Sequence, residues 1–256
     1  MSGAPVVRVE GVWTAFGDNL VHRDISLTLQ RGAILALVGA SGCGKTVLMR
    51  EMIGLQNPTR GRVELLGENL ATADAQTQQQ LRNRCGVLFQ GGALFSALTV
   101  FDNIAFSLRE LRVLDETLIE RLVAMKLSMV GLDTSSALLM PSELSGGMVK
   151  RAALARSLIM EPEVLFLDEP TAGLDPVLSE EFINLLRALH RELGFTIIMI
   201  THDLDTLNDL CTHVGVLADQ RLVSFGSLDD AIACEHPFAR EFFHGKRARQ
   251  VFRHTH

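Results

Sequence analysis

The segment from Gly39 to Thr46 has the residue types and spacing of a loop that binds phosphate. It reads GASGCGKT, matches G-x-x-x-x-G-K-[ST], and lies between an apolar run and a helical pattern. Glycines let such a loop curl until its N–H groups point at phosphate oxygens, and the following helix adds its dipole. We expect Lys45 to bind the β- and γ-phosphates and Thr46 to coordinate Mg²⁺. The candidate nucleotide-binding residues here are Gly39, Ser41, Gly42, Cys43, Gly44, Lys45, Thr46 and Val47.

Two acids at the end of an apolar segment form a second candidate element. The run VLFLD ends at Asp168 and is followed at once by Glu169 and Pro170. The first acid is suited to hold Mg²⁺ through water, and the second to polarise an attacking water as a general base. The alternative is a pair of surface acids at a strand end. The two elements together predict that the chain binds and hydrolyses ATP with Mg²⁺, with Lys45 and Glu169 as catalytic residues.

A second anion-binding pattern lies at Leu144–Met148, which reads LSGGM and begins a helical pattern. Serine and glycine at a helix start expose N–H groups to an anion. Because the segment from Gly39 to Thr46 already binds the phosphates, one chain has no use for two such sites. We therefore expect a second copy of the chain, arranged head to tail, to place its Ser145, Gly146 and Gly147 over the γ-phosphate.

Gln90, Asp175 and His202 follow the same order along the chain as the matching residues of one family. With these residues, the motifs resemble the nucleotide-binding subunits of ABC transporters over about residues 5–230. The resemblance implies that Gln90 senses Mg²⁺ and substrate loading and counts as a metal ligand. It also implies that Asp175 spans the dimer interface and that His202 contacts the γ-phosphate in catalysis. In this family an aromatic residue stacks on adenine. The matching position here is Phe16, with Trp13 as the neighbouring alternative.

Two positions depart from the usual pattern of that family. Met148 replaces the glutamine that ends the signature, and Val47 replaces the second hydroxyl after the lysine. We expect altered affinity or rate and retained activity. The stretches 88–110 and 139–158 narrow the resemblance to the ATPases of Mla (MCE-type) phospholipid transport systems, whose pattern includes Met148. That resemblance implies an integral-membrane permease, an MCE-domain lipid-binding protein and a small STAS-domain protein as partners, at the cytoplasmic face of the inner membrane.

Composition agrees with a folded protein that does not bind nucleic acid. Hydrophobic residues make up 47% and charged residues 21% of the chain, and the formal net charge is -6. A nucleic-acid-binding surface would be basic. The four cysteines are far apart and lack a C-x-x-C pair, which favours a reduced compartment. The first residues lack a signal-peptide pattern, and apolar runs are too short for a bilayer span.

Alternating strand and helix patterns predict an α/β fold with a mostly parallel sheet. The resemblance adds a P-loop (RecA-like) core, an antiparallel β subdomain and a helical subdomain. We expect an ATPase domain over residues 1–235, with the helical subdomain at about 91–163, and a C-terminal arm at 236–256. The arm is rich in aromatic and basic residues, which leaves two interpretations. It forms a docked helix with a frayed end, or it binds a partner subunit or the anionic membrane surface.

Three apolar residues after Gln90 have two readings. Phe95, Leu98 and Phe101 either close the local core or, if exposed, form a patch for docking to a permease. The sequence is also compatible with three other functions. These are an ABC ATPase for another imported or exported solute, a non-transport ABC ATPase acting on DNA or ribosomes, and a nucleotide-binding regulator without turnover. The last of these has no need of Glu169.

Overall fold

The computed structural model describes residues 4–252, so the last four residues of the predicted arm lie outside the described part. The chain divides into two compact units. The first comprises residues 1–82 and 196–256, and the second comprises residues 83–195. Each is described separately below.

An antiparallel sheet forms one part of the first unit. Its strands β1 (Val7–Phe16), β2 (Asn19–Leu29), β4 (Arg60–Leu65) and β5 (Glu68–Asn69) lie in the order β2-β1-β4-β5. In the second half of β2, buried Ile25, Leu27 and Leu29 alternate with exposed residues. This is the pattern of a sheet that covers a core with one face.

Strand β3 (Ile34–Gly39), which leads into the phosphate loop, and its two neighbours are buried along almost their whole length. Strand β3 pairs in parallel with β8 (Thr196–Ile200) on one side and with β9 (His213–Ala218) on the other. Strand β10 (Arg221–Gly226) pairs with β9 in antiparallel orientation. Every residue of β8 is buried. Continuous apolar runs of this kind are typical of strands covered on both faces.

Six helices accompany these strands. They are α1 (Lys45–Ile53), α2 (Ala75–Asn83), which ends where the units divide, α7 (Leu204–Leu210), α8 (Leu228–Ile232), α9 (Pro237–His244) and α10 (Lys246–Val251). Helix α9 packs against α8, and α10 packs against α7 and α9. Phe243 is 2% exposed and contacts the rings of Phe242 and Phe252. The described part of the arm is therefore helical, packs against α7 and α8, and has an aromatic cluster of its own.

The second unit contains two parallel strands and mostly helices. Strand β6 (Cys85–Leu88) pairs with β7 (Val164–Asp168). Between them lie α3 (Val100–Leu111), α4 (Glu116–Met129), two short 3-10 helices (Thr134–Leu138 and Pro141–Glu143) and α5 (Gly146–Leu158), and α6 (Pro176–Leu193) follows β7. Side-chain caps begin all four of these α-helices: Thr99 for α3, Asp115 for α4, Ser145 for α5 and Asp175 for α6.

The predicted α/β class is confirmed, with parallel strands, helices and an antiparallel sheet. The strands predicted from β-branched runs are present, and the stretch from 91 to 163 contains helices without a strand. The patterns did not predict α7 or α8. These helices have seven and five residues, which is too short for a helical period to stand out in sequence.

Candidate functional site

The phosphate loop joins the end of β3 to the start of α1, as the sequence pattern predicts. A Cβ at Gly39 would overlap the carbonyl oxygen of Leu217 and approach Cys43 Sγ to 2.6 Å. Gly42 and Gly44 have positive φ angles of 77° and 103°. Only glycine adopts these conformations without strain. The glycines of this loop are therefore required by its own geometry.

Lys45 points back into the curl of the loop. Its Nζ donates to the carbonyl oxygens of Gly39 at 2.7 Å and Ala40 at 2.9 Å, and lies 3.9 Å from Cys43 Sγ. No atom of the described chain comes within 4 Å of a Cβ placed on Gly42. This open loop, with an ammonium group at its centre and helix α1 behind it, has the chemistry that a chain of phosphates needs.

A buried polar cluster supports the loop from β2, and sequence reasoning missed it. His22 is 0% exposed, and its Nε2 lies 3.1 Å from the carbonyl oxygen of Gly44. Its Nδ1 lies 3.2 Å from Thr14 Oγ1 and 3.2 Å from Glu51 Oε2. Thr14 Oγ1 donates to Glu51 Oε1. Since a carbonyl oxygen only accepts hydrogen bonds, Nε2 carries a proton and donates it to Gly44.

The predicted acids lie at the end of β7 in the second unit. Asp168 ends the strand, and Glu169 follows with a positive φ of 49°. This left-handed conformation is uncommon for a residue with a side chain, and such residues cluster at functional sites. It turns the chain sharply, and both acids are half-buried. The positive φ singles out the predicted base as a constrained position.

Lys150 connects two predicted site residues of the second unit. It is 5% exposed, and its Nζ donates to the carbonyl oxygens of Gln90 and, at 3.2 Å, of Glu169. Burial lowers the pKa of Lys150, while the charges of Glu169 and Asp168 act in the opposite direction. Sequence reasoning assigned no role to this lysine. The second unit therefore brings Gln90 and Glu169 together through one buried ammonium group.

The LSGGM pattern begins α5 as expected. Ser145 is the N-cap, and its Oγ accepts a hydrogen bond from the Met148 N–H at 3.3 Å. A Cβ on Gly146 would lie 3.9 Å from Leu174, and one on Gly147 would lie 3.6 Å from Leu178, which are ordinary contacts. Unlike the glycines of the phosphate loop, these two are not required by packing within their own chain.

Three further predicted residues occupy loop or strand-end positions. Asp175 caps α6, because its Oδ1 accepts from the Leu178 N–H at 3.0 Å. His202 is exposed just after β8. Phe16 ends β1 with 48% of its surface exposed, whereas the Trp13 ring is covered by the Arg23 guanidinium at 5.7 Å. An uncovered ring is the better surface for stacking on a base, so this geometry favours Phe16 over Trp13.

An aromatic patch is exposed in the second unit, close in sequence to Gln90. Phe89, Phe95 and Phe106 are 38%, 48% and 43% exposed, and the rings of Phe95 and Phe106 lie 5.2 Å apart. Leu98 and Phe101 are half-buried. We call the neighbouring rings of Phe95 and Phe106 the aromatic patch. Of the three residues named from sequence, Phe95 is in the patch, while Leu98 and Phe101 also contribute to local packing.

The residues proposed for Mg²⁺ fit a hard cation. Thr46 offers a hydroxyl oxygen, Asp168 a carboxylate and Gln90 an amide oxygen, which are the donor types that Mg²⁺ prefers. Within residues 4–252, no cluster of three or more His, Cys, Asp or Glu residues is arranged to hold a metal. This donor set suits an ion that is bound jointly by protein and phosphate.

The fold and the phosphate loop define a P-loop nucleotide-binding protein, and comparison gives the family. The ABC transporter family model matches residues 22–172. The chain belongs to the ABC transporter family and is an ATPase of that family. Over residues 4–252, the helices fall short of the length and apolar character that a bilayer span requires.

Several relatives are similar along most of the chain. The intermembrane phospholipid transport system ATP-binding protein MlaF of Escherichia coli is 40% identical over 95% of this chain and 90% of its own length. MlaF of Haemophilus influenzae is 34% identical, over 94% and 91%. The probable ribonucleotide transport ATP-binding protein mkl of Mycobacterium bovis is 36% identical, over 94% of this chain and 67% of its own.

Solved structures agree with this placement. The structure of cbiO1 from Clostridium perfringens, part of the ABC transporter complex cbiONQ, superposes with a TM-score of 0.80. It is 29% identical and the match covers 99% of this chain and 98% of that one. A dimeric ATP-binding cassette, MJ0796, bound to ADP and phosphate has a TM-score of 0.79 and 25% identity, over 87% and 98%.

Proposed function

We propose that this chain is the ATP-hydrolysing subunit of a transporter that moves phospholipid between the inner and outer membranes. The observation that carries this proposal is the 40% identity to MlaF along 95% of the chain. The transporter's permease, its MCE-domain lipid-binding protein and a small STAS-domain protein are the proposed partners. The chain itself would act as a peripheral subunit at the cytoplasmic face of the inner membrane.

In the proposed site, the loop from Gly39 to Val47 binds the phosphates of ATP and Phe16 stacks on its adenine. Lys45 neutralises charge on the β- and γ-phosphates, and His202 contacts the γ-phosphate. Thr46, Gln90 and Asp168 hold Mg²⁺, which when bound neutralises charge that develops on the phosphates. Glu169 accepts a proton from the attacking water.

We further propose that two copies of the chain assemble head to tail around two nucleotides. Ser145, Gly146 and Gly147 of one copy close over the γ-phosphate bound by the other, and Asp175 lies at the interface. The room for a Cβ at both glycines supports this role, since their own chain does not need them. Closure on ATP and opening after hydrolysis would drive a permease docked on the aromatic patch.

The Glu169→Gln variant tests the catalytic part of the proposal. It keeps the size of the side chain and one acceptor oxygen but removes the base. We expect it to bind ATP with parental affinity, to hydrolyse it about 10²-fold or more slowly, and to elute as an ATP-dependent dimer in gel filtration. Hydrolysis at the parental rate would exclude Glu169 as the base, whereas absence of hydrolysis in the parent would make the chain a regulator without turnover.

Lipid analysis of the assembled transporter tests the substrate. The tagged chain is purified with its membrane subunits, and bound lipid is extracted and identified by mass spectrometry against a mock purification. Phospholipid enriched over the mock supports the proposal. The second candidate is an ABC ATPase for another solute, which the similarity to mkl and cbiO1 favours. Absence of enriched phospholipid would select it.

A further inference from the structure

Helix α5 holds the segment 90–93 at several points in the second unit. Arg156 donates from its guanidinium to the carbonyl oxygens of Gly92 at 2.8 Å and Ala93 at 2.7 Å. Gly92 has a φ of 77°, and a Cβ there would lie only 3.0 Å from Val149 Cγ1 and 3.5 Å from Ala153 Cβ. The segment therefore packs against one face of α5 and is fixed by hydrogen bonds from the Arg156 side chain to its carbonyl oxygens.

Lys150 continues this attachment and extends it to Glu169. The same Nζ donates to the Gln90 carbonyl oxygen and, at 3.2 Å, to the Glu169 carbonyl oxygen. Its side chain is buried, so water competes little for these two carbonyl groups. A hydrogen bond from a charged donor is stronger than one between neutral groups, and it weighs more in a buried setting.

We infer that Lys150 is a positioning residue: it couples the position of the segment 90–93 to the position of the Glu169 backbone. Movement of Gln90 then shifts the shared ammonium group, and with it the left-handed peptide that orients the Glu169 carboxylate. Helix α5 begins at the Ser145 signature, so one helix carries the signature and this connection. The inference rests on the proposed roles of Gln90 and Glu169, and concerns how their positions are linked.

The test compares three variants of the full-length chain. Lys150→Met removes the charge and the donors at similar length, and Lys150→Arg keeps a cationic donor. Lys126→Met is the matched control, since Lys126 is another buried lysine of the second unit, 2% exposed and 3.5 Å from Glu161 Oε1. For each variant, kcat and KM for MgATP are measured, and kcat is expressed per nucleotide-binding site titrated with a fluorescent ATP analogue.

We expect Lys150→Met to lower kcat by about 10- to 100-fold, because a misplacement near 1 Å at a catalytic group has an effect of this size. KM should stay within about twofold, because the interaction lost is one made in the transition state. Lys150→Arg should recover much of the loss, and Lys126→Met should keep parental kcat. If Lys150→Met does not fold, Lys150→Leu, which also lacks a donor, replaces it with the same expectation.

Parental kcat in Lys150→Met, or an equal loss in Lys126→Met, would overturn the inference. A double-variant cycle with Gln90→Ala tests the coupling itself, and we expect the loss caused by Lys150→Met to be smaller in that background. Fully additive losses would exclude coupling through the segment 90–93. Failure of the proposed catalytic role of Glu169 is separately visible, because it would leave Glu169→Gln active whatever Lys150→Met does.

Discussion

His22 Nε2 donates a hydrogen bond to the carbonyl oxygen of Gly44, at 3.1 Å, from a fully buried imidazole on β2. A Cβ on Gly44 would lie 2.6 Å from the same nitrogen. The residue before Lys45 therefore accepts a hydrogen bond from a histidine of the antiparallel sheet, and that histidine also leaves no room for a side chain at Gly44. On the other side of the ring, Glu51 Oε2 of α1 lies 3.2 Å from Nδ1.

Replacing His22 by Ala is expected to destabilise the first unit strongly. The variant leaves the Glu51 carboxylate, which is 1% exposed, without the imidazole. Leaving a buried polar group without its partner costs about 1–3 kcal/mol, and the cavity left by the imidazole adds to this cost. Urea unfolding followed by circular dichroism measures this. ATP affinity should also fall, because the Gly44 carbonyl loses its donor.

His244→Ala is the matched control for that experiment. His244 is exposed and its Nε2 contacts the Ile232 carbonyl oxygen at 3.0 Å. Loss of a single hydrogen bond of this kind costs no more than about 1.5 kcal/mol. Equal destabilisation by the two variants would show that the cluster around His22 contributes nothing special.

Gly146→Asp separates the stability of the chain from its assembly. Gly146 is exposed, the new Cβ has room with Leu174 at 3.9 Å, and an acid in the first turn of α5 is favoured by the helix dipole. The free energy of unfolding should therefore change by no more than about 1 kcal/mol. ATP hydrolysis and ATP-dependent dimerisation should be lost, because a carboxylate would face the partner's phosphates.

Val113→Asp adds the same charge elsewhere in the second unit, at a residue that is 75% exposed. Parental hydrolysis is expected for this control. If Gly146→Asp also hydrolysed ATP at the parental rate, the composite site across two copies would be wrong. Light scattering with and without ATP distinguishes loss of the dimer from loss of nucleotide binding.

The aromatic patch is expected to determine binding to membrane subunits. Phe95→Ser and Phe106→Ser each remove a ring that is about half exposed. Burying the exposed half of such a ring contributes about 1–1.5 kcal/mol, so each substitution should weaken association by about tenfold. Copurification with detergent-solubilised membrane subunits is the measurement. Leu138→Ser, at an 81% exposed residue, is the control and should copurify normally.

Two half-buried thiols are expected to make stability fall in alkaline solution. Burial raises the pKa of Cys85 and of Cys211 from 9.0 to about 12. Between these values the unfolded chain releases the thiol protons while the folded chain keeps them. Stability that is complete below pH 9 therefore declines as pH rises, by about 1.4 kcal/mol per pH unit for each thiol.

Cys85→Ala tests that effect directly. Between pH 9 and 10.5, the free energy of unfolding should fall less steeply with pH in the variant than in the parent, by about 1.4 kcal/mol per pH unit. This difference in slope does not depend on the variant's stability at pH 7. Native Cys85 should also resist iodoacetamide until the chain unfolds, because the thiolate is the reactive species. An unchanged slope would mean that this thiol is ionised equally in both states.

Residues that are close together in sequence were largely predictable. The loop from Gly39 to Thr46 and the acids after β7 belong to a strand–loop–helix and a strand–turn, so local spacing specifies their chemistry. Short α7 and α8 were not predicted, because a few residues contain too little of a helical period. The bond between Lys150 and Gln90 joins residues 60 positions apart, and no local pattern announces it.

The sequence alone determined most of the order of strands and helices, the phosphate-binding loop and the acids, because these depend on periodicity and motif spacing. Its motifs also carried the resemblance to the family. Only the tertiary structure placed His22 inside. Alternation with Ile25 and Leu27 would point His22 outward, but the register shifts between Ile25 and His22, and Asp24 has a φ of 56°. An extra residue in one strand reverses the direction of the side chains beyond it. That bulge brings the imidazole beneath Gly44, and the residue pattern of β2 did not reveal it.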